Sequence, residues 1–400
     1  MDTSKSGSSA FQCGLVWFGA AVSIAEIQTG IDIAANARGG ALASIVWAIV
    51  AGHIAGGLLL FAVGCIGARL RAGAMDCAKL PFGRLGAGLL AILNIVQLLG
   101  WTAVMVAQGA DAASALWSRL PFPAAACAIG ALVAAWIFIG LGGISKINAA
   151  AMTMLLLLTV YISARLLAPS APPAGECGTS SAPAFWTVFE LSAAMPLSWL
   201  PLMADYTKDA RSLRLAPAVS AATYTIVSCW MFAIGLGCGL RFPGVGFPGA
   251  VLACGAAVAG LLVVVFSTVT TTFLDAYSAG ESAKSIFSRI PSKLFAVAVA
   301  AAGTALAIFI GMDRYLDFLY LIASVFAPMA AVQIADWIAA RGTVGPRAPA
   351  AVAANIVAWV AGVAAYHVAL AKDCPVGATI PAMAVSAALA AIGGRKPQNG

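Results

Sequence analysis

Residues 193–205 read Ala-Ala-Met-Pro-Leu-Ser-Trp-Leu-Pro-Leu-Met-Ala-Asp and place Pro196 and Pro201 inside an apolar stretch long enough to cross a lipid bilayer. Proline lacks a backbone N–H and clashes with the preceding helical turn, so we predict a helix that is interrupted in mid-membrane. Backbone groups freed within hydrocarbon need a partner in the protein, water, an ion or a substrate. A broken helix in a multi-span membrane protein therefore indicates a transport site.

The rest of the chain has the composition of an integral membrane protein. Of its 400 residues, 62% are hydrophobic and 9% are charged, whereas about 25% of the residues in soluble domains are charged. Apolar runs of about 20 residues, the length of a helix that crosses the hydrocarbon core, recur throughout. We predict an all-α integral membrane protein of about 12 transmembrane helices, at residues 11–36, 40–68, 84–114, 121–141, 147–168, 185–205, 216–240, 248–277, 293–311, 314–339, 349–370 and 376–393.

The net charge of +7 reflects membrane topology and does not indicate binding to nucleic acid. With the N-terminus inside, most of the 22 Lys and Arg residues fall in predicted cytoplasmic segments. The predicted outer segments hold six, which are Arg38, Arg119, Arg165, Arg241, Arg314 and Lys372. This distribution follows the positive-inside rule. It predicts a multi-pass protein of a bacterial inner membrane with both termini in the cytoplasm.

Polar interruptions repeat along the chain at an offset of about 170 residues, near Ser23–Glu26 in span 1 and Met195–Trp199 in span 6. Two halves of five spans each have opposite orientations, because five is odd. That arrangement is the inverted repeat of secondary transporters, which bind substrate where the two broken helices meet. We predict one transporter domain with a first repeat at 1–168, an inverted second repeat at 185–340 and two peripheral helices at 349–393.

Polar and aromatic side chains share one face of span 3, because they recur every three or four residues. They are Asn94, Gln97, Trp101, Met105 and Gln108. The Trp101 indole offers a stacking face and the Gln97 amide both donates and accepts, so this pair suits a flat heterocycle. The same pattern equally suits a stripe of interhelical hydrogen bonds in which Trp101 is packing.

Hydroxyl groups form a similar stripe on span 8, at Ser267, Thr270 and Thr271. Adjacent hydroxyls and a nearby backbone carbonyl supply oxygen ligands for a hard cation such as Na+, completed by carbonyls of an unwound helix. In the alternative interpretation, each hydroxyl bonds back to a carbonyl of its own helix, which is common. Spacing alone favours the alternative.

Two carboxylates, Glu26 and Asp275, lie within predicted spans. A carboxylate near the bilayer centre costs about 2.5–3.5 kcal/mol on insertion scales, so each should face a cavity or a partner. We find no Lys or Arg at a matching depth in any predicted span. Each carboxylate is therefore protonated, hydrated or matched by a bound ligand. Glu190 lies near the outer end of its span, where we expect it to be solvated.

Four segments together resemble the nucleobase:cation symporter-1 family, at residues 11–30, 97–105, 195–207 and 270–280. The first reads FQCGLVWFGAAVSIAEIQTG and the second QLLGWTAVM; the others read MPLSWLPLMADYT and TTTFLDAYSAG. Within that family they are similar to the hydroxymethylpyrimidine transporters of the CytX-like subgroup, which are related to cytosine permease. The resemblance covers spans 1 to 8, and beyond them only the layout agrees.

The resemblance implies a leucine-transporter-like fold, with a 5+5 inverted repeat, broken spans 1 and 6, and two additional helices. It implies that Trp101 stacks on the substrate ring, with Gln97 on the same face. Met195 and Pro196 match the unwound stretch of span 6. Pro196 stands where the family often has an aromatic residue, which makes Trp199 the candidate for the second stacking wall.

The resemblance also implies a site for a coupling ion, either Na+ or a proton. Glu26 occupies the polar position of span 1. The oxygen ligands for Na+ would be the hydroxyls of Thr270 and Thr271 and the carbonyls of Val22, Ala25 and Ser267. No metal beyond this ion and no cofactor are expected.

These observations predict a secondary active transporter that works by alternating access and imports a neutral aminopyrimidine. The preferred substrate is hydroxymethylpyrimidine, a precursor of thiamine; cytosine, a purine or another nucleobase is the alternative. Trp101 would stack on the ring, while Glu26, Gln97 and Asp275 would bind its amino and ring-nitrogen edge. Such polar matching discriminates more strongly than hydrophobic fit.

A channel or a membrane enzyme fits the sequence less well. The two broken helices argue against a channel, which should show a symmetric constriction. An enzyme would need a nucleophile–base set or a metal cluster, and His53 and His367 have no partnering motif. We predict no catalytic residues and a functional monomer, whose partners are the substrate and the bilayer. Cys177 and Cys374 fall in predicted outer loops, where pairing between them remains open.

Overall fold

A computed structural model describes residues 7–36, 41–139, 141–168, 185–284, 286, 289–312 and 314–393, without the side chains of 141–148 and 284. Cys177 lies outside the described residues. Within them the chain forms 15 helices: α1 (Ala10–Ala21), α2 (Ile24–Asn36), α3 (Leu42–Leu70), α4 (Ala74–Leu116), α5 (Phe122–Ile139), α6 (Leu141–Leu167), α7 (Phe185–Ser198), α8 (Leu200–Thr207), α9 (Leu215–Arg241), α10 (Phe247–Ala253), α11 (Ala257–Lys284), α12 (Ser292–Ile310), α13 (Tyr315–Ala339), α14 (Pro349–Ala371) and α15 (Thr379–Gly393).

The helices follow the order of the predicted spans, and ten of the twelve predicted spans contain a helix or bent pair long and apolar enough to cross a membrane. Among the described residues, nine helices are long and apolar enough to cross a membrane, and the bent pair α1–α2 makes a tenth. The other two predicted spans correspond to the pair α7–α8 and to α15, which has 15 residues. Large apolar side chains such as Trp47, Leu85 and Phe309 are exposed, as expected for a surface that contacts lipid tails.

The predicted span at 248–277 is wrong as a single helix. The short helix α10 ends at Ala253, and the chain turns before α11 begins at Ala257. Gly255 has a φ of +81° at this turn, a conformation that glycine adopts without a Cβ clash. The residues of the turn are apolar, so hydropathy alone does not reveal it. Helix α11 continues to Lys284, beyond the predicted end.

The first broken span consists of α1 and α2, whose axes meet at 47°. Val22 leaves the helical conformation, with φ −78° and ψ 81°. The Ser23 hydroxyl then accepts a hydrogen bond from the backbone N–H of Ala25 at 3.1 Å. This is the geometry of an N-terminal cap, which satisfies one of the free N–H groups at the start of α2.

The second broken span consists of α7 and α8, which meet at Trp199. Trp199 keeps a helical conformation, with φ −90° and ψ −9°, and its N–H donates to the carbonyl of Pro196 at 3.2 Å. The interruption therefore falls at Ser198–Trp199, after Pro196 rather than at it. The Pro196 ring packs directly on α3, where a Cβ added to Gly56 would lie 2.2 Å from its Cγ.

The helices pack mainly as two groups, although the larger apolar core draws residues from both. Helices α1, α2, α3, α7, α8 and α9 pack mainly on one another, and α4, α5, α11 and α12 do the same. The core of the second group includes Ile129, Phe273 and Val299. Helices α14 and α15 pack on each other and on α13. The two broken spans therefore lie in the first group and face α4 and α11 of the second.

Glu190 on α7 is not solvated, contrary to the expectation from its position near the end of a span. It is 4% exposed. Its carboxylate accepts from the backbone N–H of Thr379 at 2.8 Å and from the Thr379 hydroxyl at 2.5 Å. Carboxylates are favourable at a helix N-terminus, where free N–H groups and the helix dipole present positive charge. Glu190 thus holds α15 against α7, a role that only the packing of α15 reveals.

Candidate functional site

A small cavity lies where the two broken spans face the second group of helices. We call its two sides the broken wall and the continuous wall. The broken wall is formed by α1–α2 and α7–α8, and contributes Ser23, Glu26, Met195, Ser198 and Trp199. The continuous wall is formed by α4 and α11, and contributes Gln97, Trp101, Thr271 and Asp275. The cavity occupies the position predicted for the site, where the two interruptions meet.

The cavity is contracted in this structure. Its volume is about 40 Å³, whereas one enclosed water needs about 10–15 Å³ by this kind of measure. A ring-shaped ligand therefore requires the two walls to separate further. The two walls share apolar contacts, since Trp101 and Met105 of the continuous wall belong to the same core cluster as Met195 of the broken wall. Separation of the walls therefore has to repack those contacts.

The structure brings six of the seven predicted substrate residues to the cavity. They are Glu26, Gln97, Trp101, Met195, Trp199 and Asp275. Pro196, the seventh, does not line it and packs against Gly56 instead. The proximity of the six agrees with the predicted site, while their roles in binding stay predictions.

Glu26 is 3% exposed, and its carboxyl group lies beside the hydroxyls of Ser23 and Tyr224. Its Oε1 accepts from the hydroxyl of Tyr224 on α9 at 3.1 Å, while its Oε2 has no partner among the described residues. Tyr224 was not among the residues predicted from the sequence to lie at the site. A signal was present in the polar triplet Thr223-Tyr224-Thr225 within an otherwise apolar span, but the triplet does not say which side chain the tyrosine meets.

Gln97 connects the two walls. Its amide nitrogen donates to the backbone carbonyl of Ser198 at 2.7 Å and to Oδ1 of Asn94 at 3.1 Å, while its Oε1 has no partner within the described structure. The Ser198 carbonyl lies at the end of α7, where the helix has lost its regular hydrogen bonding. An amide of the continuous wall therefore satisfies a carbonyl exposed by the broken wall.

Aromatic side chains fix both tryptophans of the cavity. Trp101 makes edge-to-face contacts with Phe318 and Tyr315 of α13, with ring centroids 5.4 and 6.4 Å apart. Trp199 contacts Trp17 at 5.4 Å and Tyr224 at 6.2 Å, also edge to face. These contacts hold each ring in place before any ligand binds, since edge-to-face pairs are favourable.

Two of the five predicted Na+ ligands, Ala25 and Thr271, line the cavity. The hydroxyls of Thr270 and Thr271 donate to the Ser267 carbonyl at 2.8 and 2.9 Å, as the alternative interpretation predicts. The Ala25 carbonyl accepts from the Thr29 and Tyr315 hydroxyls at 2.9 and 3.1 Å. A hydroxyl that donates keeps its oxygen lone pairs, so Thr270 and Thr271 can still bind a cation. The carbonyls of Ala25 and Ser267 already accept two hydroxyls each, and a cation would have to displace them. Val22, the fifth ligand, stands at the first break.

Two carboxylates buried outside the cavity accept hydrogen bonds on both oxygens, whereas the carboxyl groups of the cavity do not among the described residues. Asp336 accepts from Arg347 at 3.0 Å and from Asn355 at 3.1 Å, and Glu190 is held by Thr379. Asp275, by contrast, makes no hydrogen bond or ion pair with any described residue. An unpaired carboxylate in a membrane-spanning segment is costly, and the carboxyl groups of the cavity keep a bonding capacity that those of Asp336 and Glu190 have already used.

His53 is hydrogen-bonded to neighbouring helices and lies outside the cavity. His53 is buried between α3, α7 and α9, where its ring nitrogens contact the Ile49 carbonyl at 3.0 Å and the Ser228 hydroxyl at 2.8 Å. Across the described ranges, no group of three or more His, Cys, Asp or Glu residues is placed to hold a metal ion.

No family model and no curated protein matches the sequence. Among solved structures, the chain is similar to Mhp1, a nucleobase-cation-symport-1 family transporter, in a closed conformation with bromovinylhydantoin bound. That match has a TM-score of 0.77 and 18% identity, and covers 97% of this chain and 92% of that one. The inward-facing conformation of Mhp1 gives a TM-score of 0.76 and 17% identity, over 99% and 93%.

A Na+-coupled sialic acid symporter in a substrate-bound, outward-open state is also similar. It gives a TM-score of 0.58 and 13% identity, over 96% of each chain. All three matched structures are transporters, and each match spans nearly the whole chain. They confirm the predicted architecture: this multi-pass membrane protein has the leucine-transporter-like fold of Mhp1.

Proposed function

We propose that the chain is a secondary active transporter that carries a small flat heterocycle across the membrane. The observation that carries this proposal is the convergence of two broken helices on one cavity that contains two carboxyl groups: the buried Glu26, one of whose oxygens has no partner in the described structure, and the half-buried Asp275. Broken helices and intramembrane carboxylates both characterise the binding sites of transporters. Alternating access would open the cavity to each side in turn as the two walls separate.

The preferred substrate is a pyrimidine, and hydroxymethylpyrimidine is the first candidate. Trp101 would stack on the ring, with Met195, Pro196 and Trp199 forming or supporting the opposite side. Glu26, Gln97 and Asp275 would bind the polar edge. A fold shared with a structure that holds bromovinylhydantoin, a flat ring compound, supports this class of ligand. Cytosine or a purine is the second candidate.

Coupling to Na+ is the preferred mechanism, and coupling to protons is the alternative. The Na+ ligands would be the hydroxyls of Thr270 and Thr271 and the carbonyls of Val22, Ala25 and Ser267. A bound ion would join the first break to α11 and so favour one arrangement of the walls, which is how an ion's binding energy is coupled to that of a substrate. The similar sialic acid symporter is Na+-coupled.

The protein would act as a monomer in a bacterial inner membrane, with both termini in the cytoplasm. The excess of Lys and Arg in predicted cytoplasmic segments supports this orientation. The two repeats and the peripheral helices would divide the chain as the sequence predicts, at 1–168, 185–340 and 349–393.

Uptake into proteoliposomes tests this function directly. Purified protein would be given radiolabelled hydroxymethylpyrimidine, cytosine or adenine under an inward Na+ gradient, an inward proton gradient or no gradient. We expect concentrative uptake of at least one pyrimidine that requires the Na+ gradient and ends when an ionophore dissipates it. Equal uptake under all three conditions would argue for a channel or facilitator and against secondary active transport.

A further inference from the structure

The polar atoms that the cavity leaves free are predominantly hydrogen-bond acceptors. We infer that the cavity selects rings by an edge that carries N–H donors, and so prefers amino-substituted to oxo-substituted heterocycles. This inference rests on the proposed function and narrows its substrate class. It also assigns two positioning groups, the Ser198 carbonyl and the Tyr224 hydroxyl, which set the polarity of the cavity.

The hydrogen bonds of Gln97 fix the orientation of its amide group. A carbonyl oxygen can only accept, so the amide nitrogen of Gln97 must be the atom that faces the Ser198 carbonyl. Both hydrogens of that nitrogen are used, because the second bonds to Asn94. The unpartnered Oε1 is what Gln97 has left for a ligand. The sequence predicts a side chain that donates and accepts, whereas the structure leaves one that only accepts.

The hydrogen bond from Tyr224 determines which oxygen of Glu26 is left for a ligand. The Tyr224 hydroxyl occupies Oε1 and leaves Oε2 without a partner in the described structure. Glu26 is more than nine-tenths buried, so Oε2 has no access to bulk water in this conformation. A free, buried carboxylate oxygen gains most from an N–H donor on the ligand.

The other polar groups of the cavity do not reverse this balance. Asp275 adds a second carboxyl group with no hydrogen-bond partner among the described residues. Both of its oxygens are acceptors in the ionised form, which an N–H donor on the ligand stabilises. The hydroxyls of Ser198 and Thr271 already donate, to the carbonyls of Met195 and Ser267 at 2.6 and 2.9 Å. Of the remaining donors that line the cavity, the Ser23 hydroxyl lies beside the Glu26 carboxyl group and the Trp199 indole lies beside the Tyr224 hydroxyl. This leaves the Trp101 indole as the donor with no acceptor near it among the described residues.

The balance predicts which ring edges are rejected. An exocyclic amino group offers two N–H donors, whereas an oxo group at the same place offers only lone pairs and would face carboxylate and amide oxygens. Leaving buried acceptors unpaired typically lowers affinity by about tenfold or more. Rings that differ only by an amino or oxo group should therefore differ by at least about that factor.

Ligand-induced thermal shifts of the purified full-length protein test the inference, because they measure binding without requiring transport. The probes would be three matched pairs, hydroxymethylpyrimidine with its analogue in which an oxo group replaces the amino group, cytosine with uracil, and adenine with hypoxanthine, titrated at constant pH and Na+. Acetamidinium would serve as a probe that offers N–H donors without a ring. We expect the amino member of a bound pair to bind about tenfold or more tightly than the oxo member.

The variant Glu26→Gln sharpens the test. If Tyr224 continues to donate to the amide oxygen, the new NH₂ group takes the place of Oε2 and presents a donor to the ligand. The ratio of amino to oxo affinity should then fall towards one or reverse. Asp275→Asn provides a second, independent variant with the same expectation should Glu26→Gln not fold. Glu190→Gln is the matched control: it makes the same chemical change outside the cavity and should leave the ratio unchanged.

The outcomes separate this inference from the proposed function. Equal affinity for the two members of each pair, or a preference for the oxo member, would overturn the inference while heterocycle transport stands. A ratio unaltered in a folded Glu26→Gln or Asp275→Asn variant would overturn it as well. Binding of acetamidinium but of no ring would overturn heterocycle transport and leave the donor preference in place. Binding of none of the probes would contradict both.

Discussion

The two walls of the cavity supply different kinds of chemistry. The broken wall exposes main-chain groups, of which the Ser198 carbonyl is the clearest, because its helices end beside the cavity. The continuous wall has no free main-chain groups there and contributes side chains at helical spacing, notably Gln97 and Trp101. The hydrogen bond between Gln97 and Ser198 joins the two walls. Because it leaves Gln97 with a free acceptor, the balance of donors and acceptors in the cavity depends on both walls.

The two interruptions of the broken wall also differ from each other. The first contains no proline, yet Val22 leaves the helical conformation and the axes bend by 47°. The second contains Pro196 and Pro201, yet Trp199 remains helical. A capping serine stabilises the first break, whereas an amide from the facing wall stabilises the second. Proline therefore marks the region of a break without fixing its position or size.

Trp101→Ala removes the aromatic surface of the continuous wall and should have the largest effect. Base–aromatic stacking is worth about 1–3 kcal/mol in nucleic-acid complexes, so substrate affinity should fall by about 10- to 100-fold. Saturable uptake and ligand-induced thermal shift measure the loss. Trp47→Ala is the matched control, since Trp47 is 67% exposed on the lipid-facing surface. Unchanged affinity in Trp101→Ala would show that Trp101 is only packing.

Thr271→Ala tests whether the continuous wall holds an ion against the broken wall. Loss of one hydroxyl ligand should raise the Na+ concentration for half-maximal uptake severalfold, with substrate affinity at saturating Na+ nearly unchanged, because the ion reaches the substrate only through coupling. Thr153→Ala is the control, as it removes a similarly back-bonded but exposed hydroxyl on α6. Uptake by the unmutated protein that never responds to Na+ would refute the ion site and favour protons.

Ser23→Ala and Ser198→Ala compare the two breaks directly. Loss of the Ser23 cap should lower stability by about 1 kcal/mol, within the range of other helix caps. Ser198→Ala keeps the carbonyl that Gln97 binds. It should therefore lower stability by less than Ser23→Ala does and leave ligand selectivity unchanged. Thermal midpoints in detergent measure both variants at equal protein and lipid content. A larger loss for Ser198→Ala would mean that its side chain, and not its carbonyl, stabilises the second break.

Pro196→Ala should have the smallest effect, although Pro196 first drew attention to this region. The break lies at Ser198–Trp199 and its carbonyl is bound by Gln97, so the interruption should persist without the proline. Uptake should stay within about twofold of the unmutated protein, with a modest loss of stability as the ring leaves Gly56. Well-expressed protein that no longer transports would show that the proline itself maintains the break.

Much of the fold follows from local properties of the chain. Apolar runs of sufficient length determine the spans, because a helix that crosses hydrocarbon must satisfy its own backbone and expose apolar side chains. Helical periodicity places Gln97 and Trp101 on one face, as the structure has them. The turn before α11 could not be predicted in this way. Gly255 lies among apolar residues, and hydropathy does not distinguish an apolar turn from an apolar helix.

The amino-acid sequence by itself determined most of the spans, the two broken helices and eight of the residues that line the cavity, six predicted for the substrate and two for the ion, because length, hydropathy and periodicity act within one segment. Only the tertiary structure decided how those residues are used. Tyr224 is 198 positions from Glu26, Ser198 is 101 from Gln97, and Thr379 is 189 from Glu190. A hydrogen bond depends on which atoms meet after packing, and that meeting leaves Gln97 an acceptor and turns Glu190 into a helix cap.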